Sequence, residues 1–349
     1  MTPSRDHTIG RNEAGRRTPY PLLMPEPRRR LSPPTWLIWV ALGTVYVIWG
    51  TTYLGIRVTN ETLPPLIAAG IRFVIAGAVL FAVTTRRRSA EGDPIGRPQW
   101  WAALLVGAGL IAGGNGSVVL AERTVPSGTV ALIFALVPLW LALWDRLVGR
   151  RRLPGRVAIG ILLGFTGAAL LVNDARLADV PVSGLLLAVS ASMSWAAGSL
   201  FARSARLPHR PLVGNAMVMM AGGAISLVWG IARGEVTLID PDRFSAASLL
   251  ALGYLVVFGS WIAFTSYLWL LRNARTSLVA TYAWVTPMLA VYLGYLIADE
   301  TLRSRSLVAG GVVLTAVALT VSAGSITRDD AGSDAGQEGR TEDEAEVPL

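Results

Sequence analysis

The sequence contains no cysteine and no lysine, only two histidines, and little charge of either sign. Each shortage excludes something. Without cysteine there are no disulfides, no thiolate-bound zinc, no iron–sulfur cluster and no thiol nucleophile, and cysteine usage says nothing about redox compartment. The two histidines, His7 and His209, do not make a histidine-rich metal site. No metal and no cofactor is expected. Charged residues make up 15% of the 349 positions, where a soluble domain carries about a quarter. Apolar residues make up 52%, and the mean hydropathy is +0.50. That balance disfavours a water-soluble enzyme. It also excludes a disordered or coiled-coil chain. The 36 glycines and 20 prolines show no Gly-X-Y period, so a collagen-like chain is excluded as well.

What is present is arginine and long apolar runs. The formal net charge is +8 and the sequence pI about 10.5, a balance that often signals nucleic-acid binding. The placement of the charge rejects that reading. All 31 basic residues are arginine, set in short clusters between apolar stretches. A helix crossing the hydrocarbon core needs about 20 mainly apolar residues. Ten such stretches are legible, at roughly 36–56, 65–84, 100–121, 128–148, 156–173, 182–202, 212–232, 246–270, 277–297 and 304–323. They are continuously apolar rather than alternating, which predicts helices and not a barrel. No small-residue cleavage site follows the first, so it reads as a retained helix and not a signal peptide.

Arginine placement sets the expected orientation. With the N-terminus in the cytoplasm, 23 arginines fall in inner segments and 7 in outer loops, leaving Arg72 inside the second span. Both termini are therefore expected inside. Trp36, Trp39, Trp100 and Trp101 fall at inner span ends, where aromatic belts form. Residues 1–35 form a basic tail and 324–349 an acidic one. Neither has an apolar period, and both are expected disordered in the cytoplasm. The basic tail reads first as an orientation signal, with lipid or partner binding as the other reading. Met24 offers a second translation start.

The chain also repeats itself. Sliding residues 129–172 onto 278–321 matches ten of 44 positions without a gap, among them Pro138 with Pro287. The starts of the halves rhyme too, Trp49-Gly-Thr-Thr-Tyr-Leu54 with Trp195-Ala-Ala-Gly-Ser-Leu200. Five helices end where the second copy begins. A copy of an odd repeat enters the membrane upside down, which predicts two inverted five-helix repeats, 36–173 and 182–323, as in many secondary transporters. Interrupted helices at corresponding positions mark the expected site. Pro138 and Pro287 each remove a helical hydrogen bond. They read as hinges or cavity wall, or else as tolerated kinks.

These residues resemble the drug/metabolite transporter superfamily, in its EamA-type ten-helix form. The five-plus-five plan, Trp49-Gly50, the paired prolines and Ala298-Asp-Glu-Thr-Leu-Arg303 carry the resemblance. Ile71-Arg-Phe-Val-Ile-Ala-Gly77, Ala121-Glu-Arg-Thr-Val-Pro-Ser-Gly128 and Leu136-Val-Pro-Leu-Trp140 look like its bacterial drug/metabolite exporter branch. The resemblance covers about residues 36–323. It implies a bacterial inner-membrane permease, usually an exporter, and leaves the substrate open. One departure is visible: family members often carry Gly before the Glu after the ninth helix, and here Asp299 precedes Glu300.

The polar residues inside the spans are candidate site residues. Arg72 lies about 12 Å into its helix, where a charge must face protein or a water-filled cavity. It reads as a structural Arg bonded to helix-end carbonyls, Glu61 or Glu122, or as a contact for an anion or carboxylate. Asn115, inside Gly113-Gly-Asn-Gly116, bonds a neighbouring helix or lines the pore. Trp49, Trp140, Tyr282 and Trp284 stack on substrate in a cavity or face lipid. Glu122 reads as a solvated helix-end residue, Glu300 as a cap for the tenth helix, and Asp145 as the partner of Arg146. Gating or coupling is the second reading of all three. Gly109-xxx-Gly113 and Gly160-xxx-Gly164 are packing seams. No span carries a carboxylate at its midpoint.

The expected function is a secondary transporter that moves small organic metabolites or drug-like compounds, outward in direction, by alternating access. A facilitative importer and a non-transporting membrane sensor or partner subunit are the alternatives. An integral-membrane enzyme lacks its acid–base cluster, and a nucleotide-driven pump lacks a Gly-rich loop with Lys. The partners implied are a small-molecule substrate, the lipid bilayer and a proton or counter-substrate. Nucleic acid is excluded, and a homodimer is left open.

Overall fold

The structure, a computed structural model, describes residues 33–86, 95–149, 155–172, 181–274, 278–279, 281–297 and a set of positions between 304 and 319. Among these residues the regular secondary structure is helical throughout. The helices are α1 (Thr35–Asn60), α2 (Pro65–Arg86), α3 (Arg97–Ala121), α4 (Ser127–Phe134), α5 (Val137–Gly149), α6 (Gly155–Val172), α7 (Val182–Ser204), α8 (Pro211–Ala232), α9 (Ala246–Asn273) and α10 (Tyr282–Ile297). The described positions from 304 to 319 are helical too. Among the described residues, seven stretches are long and apolar enough to cross a membrane: α1, α2, α3, the stretch Ser127–Trp144 through α4 and α5, α7, α8 and α9. The expected tails lie outside the described residues, save for residues 33–35, where α1 already begins at Thr35.

Proline sets several helix starts. Pro65 and Pro211 occupy first-turn positions of α2 and α8, where the missing N–H has no helical acceptor to lose. At the start of α3, the Gln99 side chain accepts a hydrogen bond from the Gly96 N–H at 3.1 Å. Ser245 caps α9, its hydroxyl accepting from the Ser248 N–H at 3.0 Å. Large apolar side chains on the outward faces stay exposed, as a lipid-facing surface requires. Trp36, Trp39 and Trp101 are among them, near helix starts.

The expected inversion is visible in how the helices pack. α2 lies along α8, its most extensive neighbour. A Cβ built on Gly77 would meet the Ala216 carbonyl and the Met220 amide at 2.8 Å; one built on Gly223 would meet the Gly70 carbonyl at 2.9 Å and the Val74 amide at 2.8 Å. Each contact maps onto the other when 146 is added to the α2 residue, the same shift that carries Trp49 onto Trp195. The other contacts obey this exchange as well. α3 packs on α7 as α9 packs on α1, and α5 packs on α7 as α10 packs on α1. In both seams glycine lets backbones touch: a Cβ on Gly109 would lie 2.7 Å from the Gly198 Cα.

The two helices also run antiparallel, and their ends are fastened to each other. α8 ends at Gly234, whose φ of 76° is the left-handed turn that closes a helix. The next residue, Glu235, is folded back over the start of α2, 3% exposed. Its Oε2 accepts from the Leu66 N–H at 2.8 Å and the Ile67 N–H at 3.1 Å. At the other end Arg210, just before α8, donates to the Thr84 carbonyl at 3.2 Å. A carboxylate thus meets the N-terminus of α2 and a guanidinium its C-terminus, the favourable sense for the helix dipole. Since α2 and α8 are equivalent members of the two repeats, the second repeat is inverted relative to the first.

Departures from regular helix also come in pairs. α3 carries a wide-turn π segment at Ala108–Gly116 and α9 carries one at Leu255–Phe264. Such segments are rare and cluster at functional sites. The prolines are less symmetric than expected. The fourth span breaks at residues 135–136, and Pro138 follows as the second residue of α5. Pro287 instead sits inside a continuous α10.

Candidate functional site

A cavity of about 50 Å³ lies between the repeats. The first repeat lines it from α1, α2, α3 and α4, and the second from α7, α9 and α10. The walls are largely aromatic. Trp49 and Trp195, the equivalent tryptophans of the two repeats, meet edge to face with ring centroids 5.3 Å apart. Tyr282 packs on Trp49 at 5.2 Å, and Phe134 on Trp195 at 5.5 Å. Behind them Tyr267 holds the cluster rigid: its hydroxyl accepts from the Trp195 Nε1–H at 3.2 Å and shares a 2.8 Å bond with Ser199. Edge-to-face pairs of this kind contribute about 0.5–1.5 kcal/mol each beyond burial.

Arg72, Asn115 and Thr286 are among the polar side chains that line this space, with Thr52, Tyr53 and Tyr282. Arg72 reaches it from α2 and is 3% exposed. Its Nε donates to the Ser260 hydroxyl at 2.8 Å, and its guanidinium carbon stands 4.5 Å from the Phe73 ring centre. The π segment of α9 makes this approach feasible, because Gly259 precedes Ser260 there and a Cβ on Gly259 would lie 2.6 Å from Nη2. Asn115 lines the cavity from the π segment of α3, its Oδ1 buried without a hydrogen-bond partner among the described residues. Thr286, one residue before Pro287, lines it from α10 with its hydroxyl likewise buried and, among the described residues, unpartnered. Leaving such atoms unpaired costs about 1–3 kcal/mol each.

Pro287 acts on the same wall. It cannot donate to the carbonyl four residues earlier, that of Ala283, which lines the cavity. Pro138 stands in the first turn of α5 and has no such helical bond to lose.

Of the expected site residues, the structure therefore brings together Trp49, Arg72, Asn115, Tyr282 and Pro287. Others lie elsewhere. Trp140 is not a lining residue; its Nε1–H donates to the Ser192 hydroxyl at 3.0 Å and ties α5 to α7. Pro138 is buried beside the break in the fourth span. Glu122 is not a solvated end residue as expected. It is 5% exposed, because the end of α3 is covered by neighbouring helices. Glu300 lies outside the described residues, as do the side chains of Trp284 and Asp145. Sequence reading missed Trp195, Thr286 and Ser260. Trp195 carried a signal, since it aligns with Trp49. Thr286 carried a weaker one, adjacency to Pro287. Among the described residues no cluster of acidic or histidine side chains could hold a metal.

An all-helical bundle of inverted repeats around a shared polar–aromatic cavity is the architecture of a membrane carrier. The sequence matches the EamA-like transporter family twice, over residues 34–173 and 182–322. The chain belongs to that family. It is 39% identical over 282 residues to the "Uncharacterized inner membrane transporter YedA" of Escherichia coli (strain K12), covering 80% of this chain and 89% of that one. It is 26% identical to the "Probable amino-acid metabolite efflux pump" of Salmonella typhimurium, covering 78% and 90%. With "Protein PecM" of Dickeya dadantii it shares 27%, over 78% and 88%. A solved crystal structure, 22% identical, has the same fold with a TM-score of 0.56, over 81% of this chain and 95% of that one.

Proposed function

We propose that the protein is a secondary carrier that moves small organic solutes across a bacterial inner membrane by alternating access, outward in its ordinary direction. The observation that carries this reading is the cavity at the seam of two inverted repeats, walled by equivalent elements of both. If the halves exchange conformations, a site on their pseudo-two-fold axis is presented first to one side and then to the other. The family membership and the relatives named as transporters support the reading, and the efflux pump among them favours export. Ten membrane spans with both termini cytoplasmic fit the split of 23 inner to 7 outer arginines.

The test is counterflow in proteoliposomes with a panel of labelled metabolites, with and without a pH gradient. Exchange of one compound class establishes a carrier, and gradient dependence separates antiport from facilitation. Absence of exchange across the panel, with folded and inserted protein, refutes the reading. The absence of cysteine makes a second test direct. A Thr286→Cys protein carries one thiol, which alternating access exposes to an impermeant maleimide from either face. Labelling from one face alone, with and without substrate, counts against the mechanism.

A further inference from the structure

We propose that the cavity selects an organic monoanion with an apolar, aromatic-sized body, held through its carboxylate by Arg72. The inference rests on the carrier reading for its purpose and on the cavity alone for its chemistry.

The charge in the cavity is of one sign. Among the described lining residues Arg72 is the charged one, and none is acidic. A cationic solute would meet this guanidinium in a low-dielectric space with no carboxylate among the described lining residues to offset it. A neutral solute would leave a buried cation undercompensated. Among the described residues Arg72 makes one hydrogen bond, through Nε to Ser260, and no ion pair. Guanidinium carries five N–H donors and cannot be deprotonated at physiological pH. Four of those donors, on the two Nη nitrogens, are therefore left for a ligand. Their planar fork matches the two oxygens of a carboxylate. The Nε bond to Ser260, the Phe73 ring and the close fit against Gly259 fix the orientation of the fork before any ligand arrives.

The rest of the lining describes the rest of the ligand. Trp49, Trp195, Phe134, Phe264 and Tyr282 present ring surface, which suits a flat or bulky apolar group and gains nothing from a polyhydroxylated one. Asn115 and Thr286 offer a small number of polar contacts that fix a pose. A small inorganic anion would use Arg72 and leave the aromatic walls unused.

The experiment uses the full-length protein in nanodiscs and four probes that separate head from body: 3-phenylpropionate, its amide 3-phenylpropanamide, the cation 3-phenylpropylammonium, and propionate. Binding is read by quenching of tryptophan fluorescence, with calorimetry as a check, at pH 8 where the acid is ionised. The expected result is that 3-phenylpropionate binds at least tenfold tighter than each of the other three. Arg72→Gln should erase the preference over the amide, and Arg72→Lys should keep part of it. Equal or tighter binding of the amide or the ammonium overturns the anion assignment, and equal binding of propionate overturns the aromatic body. Saturable binding of none of the four overturns the proposal as a whole. The wild-type ranking alone decides these outcomes if Arg72→Gln fails to fold. Counterflow measured separately keeps the two readings apart. Acid-selective binding without exchange refutes the carrier and leaves the ligand class standing. Exchange of cationic or neutral solutes without acid-selective binding does the reverse.

Discussion

Replacing Glu235 with alanine should destabilise the bundle far more than a loop substitution ordinarily does. The start of α2 shows why. A helix leaves its first four N–H groups without a helical acceptor. Here two of the four positions are Pro64 and Pro65, which have no N–H, and Glu235 takes the N–H groups of the other two. Hydrogen bonds to a charged group contribute roughly 1.5–3 kcal/mol net, less when two share one oxygen, and the helix dipole adds about 0.3–1 kcal/mol. Alanine removes all of this and leaves two amides buried, so a loss of about 3 kcal/mol is expected. Glutamine keeps a neutral acceptor, whose bonds are about half as strong, and should lose about 1–1.5 kcal/mol. The assay is equilibrium unfolding in mixed micelles with rising SDS, followed by tryptophan fluorescence and helical circular dichroism. An alanine variant within about 0.5 kcal/mol of wild type, or a glutamine variant as damaged as alanine, would refute the capping account.

Two further outcomes follow from the packing and the prolines. Gly77→Ala places a methyl 2.8 Å from the backbone of α8 and should cost about 1–3 kcal/mol, whereas Gly43→Ala meets nothing within 4 Å and should be neutral or stabilising by up to about 1 kcal/mol; thermal unfolding of the two purified variants checks the contrast. Pro287→Ala restores a donor to the Ala283 carbonyl in the cavity wall and should lower counterflow several-fold with insertion intact. Pro138→Ala should lower it less, because the chain breaks before that residue; equal flux in wild type and both variants would remove the prolines from the mechanism.

How much of this was legible in the sequence depended on the kind of interaction. Apolar runs specify spanning helices because a bilayer admits little else, so the ends of α1, α2, α7 and α8 fall within a few residues of expectation. Arg72 was legible because a charge inside an apolar run needs a reason. Asn115 stood out in the same way, among glycines. Trp140 and Trp195 show the limit. Proximity to proline favoured the first, but which aromatic faces the cavity depends on helix rotation, which neighbouring helices set. Glu122 was placed by counting residues from a helix end, and counting does not reveal what covers that end. Glu235 was not legible at all. It opens a short 3₁₀ turn, Glu235–Leu238, outside the spans, and its partners are backbone amides, which every residue but proline possesses. The π segments are equally silent, since a one-residue shift in hydrogen bonding leaves the apolar pattern intact.

The cap on α2 also has a consequence for how the chain is made. Leu66 and its acceptor are 169 residues apart. At about 5–20 residues per second, the ribosome completes Glu235 on the order of 10–30 s after the start of α2 has left it. Through that interval the acceptor that covers these two amides in the finished fold has not yet been made. The first repeat is thus a half-product that waits for the second, and a chain severed between them would leave that debt to be settled only when both pieces meet in the same bilayer.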